Sequence, residues 1–233
     1  MSQNFLVDRR AVDRVVAAAR PSGLVLEPGA GTGALTRALV RTGADVVAYE
    51  IDPVWAGRLR ERVPQARVVR GDFTAARPPR EPFAVVGNIP YSITSQIVDW
   101  CLRARSLTSA TLVTQLEYAR KRSGDFGRWS MLTVATWPWF SWELAGRIGR
   151  SSFRPVPSVD SAILRIRRRP EPLVEDGRAY RLLVERGFSG VGGSLYGSLG
   201  NRSAFERAGV ARDTVVAYVH PDQWITLFRE LRR

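Results

Sequence analysis

The chain has 233 residues with ordinary globular fractions of apolar and charged residues, enough to bury a sizeable core in one or two domains. No apolar run reaches the ~18 residues of a membrane helix, and nothing resembles a signal peptide; one cysteine (Cys101) and one histidine (His220) leave no intramolecular disulfide or His/Cys metal cluster to build. These features point to a cytoplasmic protein without a metal. The net charge is +13, of which residues 1–170 carry +12 and residues 171–233 only +1. A polyanionic partner meeting the first segment is the natural expectation.

In chain order, Asp8 to Arg20 places Val12, Val15, Val16 and Ala19 at helical spacing, with Asp8 as N-cap. From Leu24 to about Pro170 strand and helix signals alternate, as in a doubly wound α/β sheet. Strands are expected at Leu24–Glu27, Asp45–Glu50, Ala66–Arg70, Phe83–Gly87 and Ala110–Gln115, and helices at Ala34–Arg41, Pro53–Arg62 and Thr94–Arg103. Trp142–Ile148 and Ser161–Arg167 read as a closing hairpin, the second strand as an edge with one wet face. Pro170-Glu171-Pro172 is the best boundary, separating a catalytic domain (1–170) from a helical one (171–233). In the latter, helices are expected at Ala179–Gly187, Arg202–Ala208, Arg212–Tyr218 and Pro221–Leu231. Cys101 reads as core, and His220, before Pro221, as part of a helix start.

Glu27-Pro28-Gly29-Ala30-Gly31-Thr32-Gly33 joins the first strand of the sheet to the next helix. Glycines allow a tight turn and a close ligand, and the helix offers free N–H groups. Glu50, 19 residues after Gly31, ends the second strand, where a carboxylate can accept both ribose hydroxyls. Loop and acid together indicate an adenosine cofactor, either a nicotinamide dinucleotide or S-adenosylmethionine. Three features favour the latter. Glu27 would oppose a pyrophosphate; Asp72 and Phe73 follow the third strand, where they could accept the adenine amino group and cover the ring; and a dehydrogenase gives no role to Asn88-Ile89-Pro90-Tyr91.

That tetrapeptide follows a buried-strand pattern that Pro90 must end, so an amide and an aromatic ring appear at the carboxyl end of a strand. If Asn88 and a backbone carbonyl accept the hydrogens of a base amino group, its lone pair is freed toward an electrophile. Tyr91 can stabilise the charge that develops by ~0.5–2 kcal/mol. A paired base cannot reach such a pocket, so the target must be unstacked or single-stranded. Phe153, in the stiff Phe153–Asp160 loop, could close the other face of the base, with Arg150 and Arg154 adding charge at its edge. The cluster from Trp137 to Trp142 reads as packing between strands, whereas Arg120-Lys121-Arg122 and Arg165–Arg169 are candidate phosphate contacts.

Ser2–Leu6, Glu27–Gly33, Glu50, Asp72, Asn88–Tyr91 and Phe153–Ser161 together resemble the motif series of the rRNA adenine N6-methyltransferases. The family unites the Erm 23S rRNA enzymes with the 16S adenine dimethyltransferases. The resemblance implies a Rossmann-like class I fold with a seven-stranded, mostly parallel sheet and S-adenosyl-L-methionine as cofactor. It also implies that Asn4, Leu6, Gly29, Gly31, Glu50, Asp72 and Asn88 hold the cofactor, and that Tyr91 and Phe153 stack on a flipped adenine. Ile89, Ser2, Gly127–Val134 and Gly192–Tyr196 look like the Erm branch. That branch implies a monomer acting on 23S rRNA, which blocks macrolide, lincosamide and streptogramin B binding. Relatives usually carry further, often basic, residues before Gln3-Asn4-Phe5-Leu6, so lower RNA affinity is expected of this chain. The competing readings are a 16S dimethyltransferase, a non-catalytic RNA-binding relative and, weakest, a nicotinamide dehydrogenase.

Overall fold

The computed structural model describes residues 4–232; Ser2 and Gln3 of the N-terminal motif lie outside the described residues. The chain divides into two compact units, one made of residues up to Ala119 with Glu143–Arg167, the other of Arg120–Trp142 with Arg168 onward. The second unit thus takes in an excursion, residues 120–142, that a single boundary at 170 does not anticipate.

The first unit begins with β1 (Phe5–Leu6) and α1 (Arg9–Ala19). Asp8 caps α1, accepting from the Arg10 N–H at 2.9 Å. There follow β2 (Leu24–Pro28), α2 (Ala34–Val40), β3 (Asp45–Glu50), α3 (Pro53–Arg62), β4 (Arg67–Arg70), β5 (Phe83–Asn88), α4 (Thr94–Arg103) and β6 (Leu107–Gln115). The next elements are α5 (Leu116–Ser123), α6 (Met131–Thr136), β7 (Phe140–Ile148), β8 (Phe153–Arg154) and β9 (Ser161–Arg168). Asp52, whose carboxylate accepts from the Val54 and Trp55 N–H groups, and Pro53 behind it explain why α3 starts where it does.

The seven-stranded sheet runs in the order β4-β3-β2-β5-β6-β9-β7. Strands β4, β3, β2, β5 and β6 pair in parallel, and β9 pairs antiparallel with β6. The sequence reading made β9 the edge; it is an inner strand, and β7 is the edge. Its neighbour on each side explains why Ala162, Ile163, Leu164 and Ile166 are all buried, while Arg165 bonds to Glu143 and to the Ala18 carbonyl. A separate antiparallel pair, β1 with β8, sets Leu6 opposite Phe153.

Strand order reverses between β2 and β5, so the loops leaving those two strands part and open a crevice at their carboxyl ends. Gly87, the penultimate residue of β5, sits against Pro28 so closely that a Cβ there would lie 2.9 Å from the proline ring. Only glycine lets the two strand ends come together at this point. The core of this unit packs Ala11, Val12 and Val15 of α1 and Leu35 and Leu39 of α2 with sheet residues such as Val25, Val46 and Val86.

The second unit contains α7 (Gly177–Phe188), α8 (Leu195–Leu199), α9 (Arg202–Ala208) and α10 (Pro221–Leu231). Tyr180, Val184, Phe205, Trp224 and Phe228 form its core together with Val134 of α6. His220 caps α10 in a capping box with Gln223. The helix expected at Arg212–Tyr218 is absent: a turn leads into a single 3-10 turn at Val216–Tyr218. Thr214, Val215 and Val216 are consecutive β-branched residues, which disfavour a helix. The tryptophan cluster is a packing device: Trp137 and Trp139 pack on this helical core, while Phe140 and Trp142 are buried residues of strand β7.

Candidate active site

The crevice at the sheet's switch point contains two adjoining clefts that share Asn88. The larger, about 770 Å³, is lined by Asn4, Glu50, Ile51 and Asp52, by the turn Asn88–Ser92, and by Pro155–Ser158. The smaller holds Phe5, Leu6, Glu27, Gly29, Ala30, Thr32 and Asn88 among its walls. Another cleft of similar size, about 670 Å³, lies on the helical unit between Pro172–Asp176 and α10. Its walls include no residue of the glycine loop, Glu50 or the Asn88–Tyr91 turn, so it is not the reactive centre.

On the cofactor side the backbone does the building. Gly29, Gly31 and Gly33 all have positive φ, which lets the loop after β2 fold over the strand end. Glu50 is buried and accepts from the Gly31 N–H at 2.7 Å and the Asp52 N–H at 3.0 Å. Two charge-assisted bonds of this kind lock the carboxylate while each oxygen keeps a lone pair for a further donor. Asp72 follows β4, the next strand over, where it accepts from the N–H and hydroxyl of Thr74 and caps a short 3-10 turn. That turn sends the Phe73 ring inward, 4.5 Å from Trp100 and 5.3 Å from Tyr49 between ring centres. Phe73 is therefore a core residue and cannot cover a ligand, contrary to the expectation from sequence.

Glu27 is as buried as Glu50 but differently served. Its Oε2 meets no hydrogen-bond partner, and neither does the nearby Thr36 hydroxyl. Burial raises its carboxyl to about 8; the Thr36 side chain pulls the other way, and the charge of Glu50 pushes it up again. Glu27 thus lines the smaller cleft as a neutral carboxyl near pH 7, and only its ionised form would complement a cationic ligand. A neutral Glu27 also repels a pyrophosphate less than a carboxylate would, which weakens one of the sequence arguments against a dinucleotide.

On the opposite side the site is assembled from distant segments. The Asn88 side-chain N–H donates to the Asn4 backbone carbonyl at 2.8 Å, which fixes an amide that lines both clefts. Tyr91 opens a 3-10 turn after Pro90 and is half-buried; its hydroxyl shares a 2.6 Å hydrogen bond with the buried Ser161. Burial holds its phenol above the usual range, so it acts as a neutral aromatic. Phe153 is fully buried, because pairing of β8 with β1 turns its ring into the core beside Leu6. The ring is no free platform for a base; Pro155 and Pro157 form that wall of the cleft, with exposed Val156 on the rim it shares with a neighbouring depression. Ser161 and Val156 are the residues that sequence reading missed. Ser161 lies 70 positions from Tyr91, and no local spacing could have announced the pairing.

The basic runs also change meaning. Arg120 pairs with Asp125, Arg122 donates to Ser130, and Arg168 and Arg169 lie over Phe140 and Trp137. These groups brace the second unit more than they face solvent; Lys121 and Arg167 are the exposed members of the two runs.

A family model described as ribosomal RNA adenine dimethylase matches residues 1–233. The chain belongs to the ribosomal RNA adenine dimethylase family. A curated rRNA adenine N-6-methyltransferase of Streptomyces fradiae is 56% identical, covering 100% of this chain and 78% of the relative. The mycinamicin-resistance protein MyrB of Micromonospora griseorubida is 41% identical over 87% of this chain and 66% of its own length. Among solved structures, the 23S rRNA methyltransferase ErmE superposes with a TM-score of 0.94 at 51% identity, covering 99% of this chain and 100% of that one. The chain is thus a class I methyltransferase that uses S-adenosylmethionine to methylate the N6 amino group of adenine in ribosomal RNA. The site fits that cofactor: buried Glu50, locked by two backbone N–H groups, retains acceptor capacity beside the glycine loop. No helix is long and apolar enough to cross a membrane among the described residues.

Proposed function

We propose that this enzyme methylates an adenine in the peptidyl-transferase loop of 23S rRNA and so protects the ribosome from macrolides, lincosamides and streptogramin B. The observation that carries the choice of ribosomal subunit is the likeness to ErmE, a 23S rRNA methyltransferase, over nearly the whole chain at 51% identity. The MyrB name adds a link to resistance.

S-adenosylmethionine, when bound, supplies an electrophilic methyl group. Asn4, Leu6, Gly29, Gly31, Glu50, Asp72 and Asn88 form its site in this reading, with Glu27 as a further wall residue. The chain's own task is to present the adenine amine. Asn88, held by Asn4, accepts from the amino group and frees its lone pair; Tyr91, held by Ser161, lies against the ring and stabilises the charge that develops. Orientation supplies most of the acceleration, ~7–11 kcal/mol in favourable cases. No strong base is needed, because the proton is acidified by methyl transfer itself. We assign catalysis to the α/β domain of residues 1–170 and a bracing role to residues 171–233, in a cytoplasmic monomer. Phe153 has no direct stacking role in this arrangement.

The test is transfer of labelled methyl to separated ribosomal RNAs. Label in 23S rRNA alone supports the assignment; label in 16S rRNA alone overturns it in favour of the ribosome-assembly enzyme. No label in either, with intact folding and cofactor binding, would leave only an RNA-binding relative.

A further inference from the structure

Val156 is a large apolar side chain left 55% exposed at the tip of the loop that follows β8. It is held between Pro155 and Pro157, and Pro157 is buried, so the tip has little freedom to fold away. Arginines lash the loop from both sides: Arg150 donates to the Ser158 carbonyl and lies 3.7 Å from Asp160, and Arg154 donates to the Ser151 and Phe153 carbonyls. Val156 lines the larger cleft with Asn88 and Tyr91, and it also lines a shallow depression beside it with Arg150, Ser151, Arg154 and Asp160. Val159, the other exposed valine of the loop, borders neither.

An exposed apolar group is normally unremarkable, but its place here is specific. It stands on the rim of the pocket that must receive a base, between that pocket and two guanidinium groups. When a base leaves its stack, the neighbouring bases are left with an unfilled gap, and an apolar side chain inserted there offsets the lost stacking. Arginines beside such a wedge suit the phosphates on either side of the extruded nucleotide. The carboxylate of Asp160 opposes this, but Arg150 faces it and offsets its charge.

We propose that Val156 is a wedge that fills the gap left by the target adenine, with Arg150 and Arg154 gripping the flanking phosphates. The inference rests on the adenine-methylation reading of the site and adds how the base is drawn from the stack. It makes Val156 a positioning residue, not a catalytic one.

The experiment compares two RNA substrates for the full-length enzyme. One is a hairpin in which the target adenine stacks between neighbours; the other carries the same adenine between two abasic sites, where nothing must be unstacked. Val156→Ala should slow methylation of the hairpin about tenfold and leave the abasic-flanked substrate unchanged. Val156→Met, apolar and longer, should restore most of the hairpin rate. Calorimetry should show unchanged cofactor affinity, and a thermal melt unchanged stability, since the side chain is exposed. Equal losses on both substrates would make Val156 a plain pocket wall and overturn the wedge, as would no loss on either. The reading of the site fails separately, through a wild-type enzyme that methylates neither substrate.

Discussion

The two sides of the crevice are built by opposite means. The cofactor side is built from short-range contacts: Glu50 is locked by the N–H groups of Asp52, two positions on, and Gly31, 19 positions back, and Asp72 by its own turn at Thr74. The base side is remote: Asn88 depends on Asn4, 84 positions away, and Tyr91 on Ser161, 70 positions away. Asp72 needs only its own turn, and Glu50 only the pairing of β2 with β3, its immediate neighbour in the sheet. An acceptor and a ring held across the sheet are correct only when the whole first unit is assembled. The difference suits a two-substrate enzyme, in which a small cofactor needs a standing receptacle and a flexible RNA needs a precise target.

Removing the remote acceptor has the largest expected consequence. Asn88→Ala should lower methyl transfer by about a hundredfold or more, because misplacing the amine costs that much. Single-turnover rates measure it, and a rate near wild type would refute the assignment of Asn88. Next comes the local side. Glu50→Ala orphans two buried N–H groups, so cofactor affinity should fall about tenfold or more, with stability reduced by about 2 kcal/mol. Calorimetry and denaturant unfolding read the two effects, and intact affinity would move the ribose contact elsewhere.

A third prediction separates the two buried acids. The Glu27 carboxyl is raised to about 8 in the folded chain against 4.5 as its ordinary value. The folded state therefore holds a proton that the unfolded state has lost, and stability falls as pH rises from about 4.5 to about 8. Glu27→Gln removes that fall, so in the cofactor-free chain it should gain stability at pH 8 by on the order of 4 kcal/mol and be near-neutral at pH 4.5. Thermal melts across this range decide it; a variant that tracks wild type at every pH would mean that Glu27 finds a partner.

The smallest effect sharpens the remote side. Ser161→Ala and Tyr91→Phe each break one neutral hydrogen bond worth about 1 kcal/mol, so each should slow turnover about fivefold. Combined, they should cost no more than either alone, whereas additive losses would show that the bond does not position the ring.

Much of the frame was written in local pattern. The alternation of apolar runs and amphipathic helices marked the strands of the sheet, and Asp8 and His220 announced helix starts through side chains that cap their own backbone. The glycine loop and Glu50 were legible for the same reason, as their chemistry is completed within a few residues of each strand end. Phe73 and Phe153 misled, because an aromatic in a loop motif looks the same whether its ring faces a ligand or the core. The basic runs misled as well: Arg120 and Arg122 form a positive patch on paper and internal braces in space.

By itself the sequence determined the α/β class, the adenosine receptacle and the family, since these depend on periods and spacings that the backbone must obey wherever it folds. Tertiary structure alone decided which aromatics are free, which arginines are spent, that Asn4 orients Asn88 and Ser161 holds Tyr91, and that Val156 stands at the pocket's rim. The reason is physical: burial and hydrogen bonding between segments some 70 to 84 residues apart arise only when the strands are in register, and no spacing along the chain encodes them.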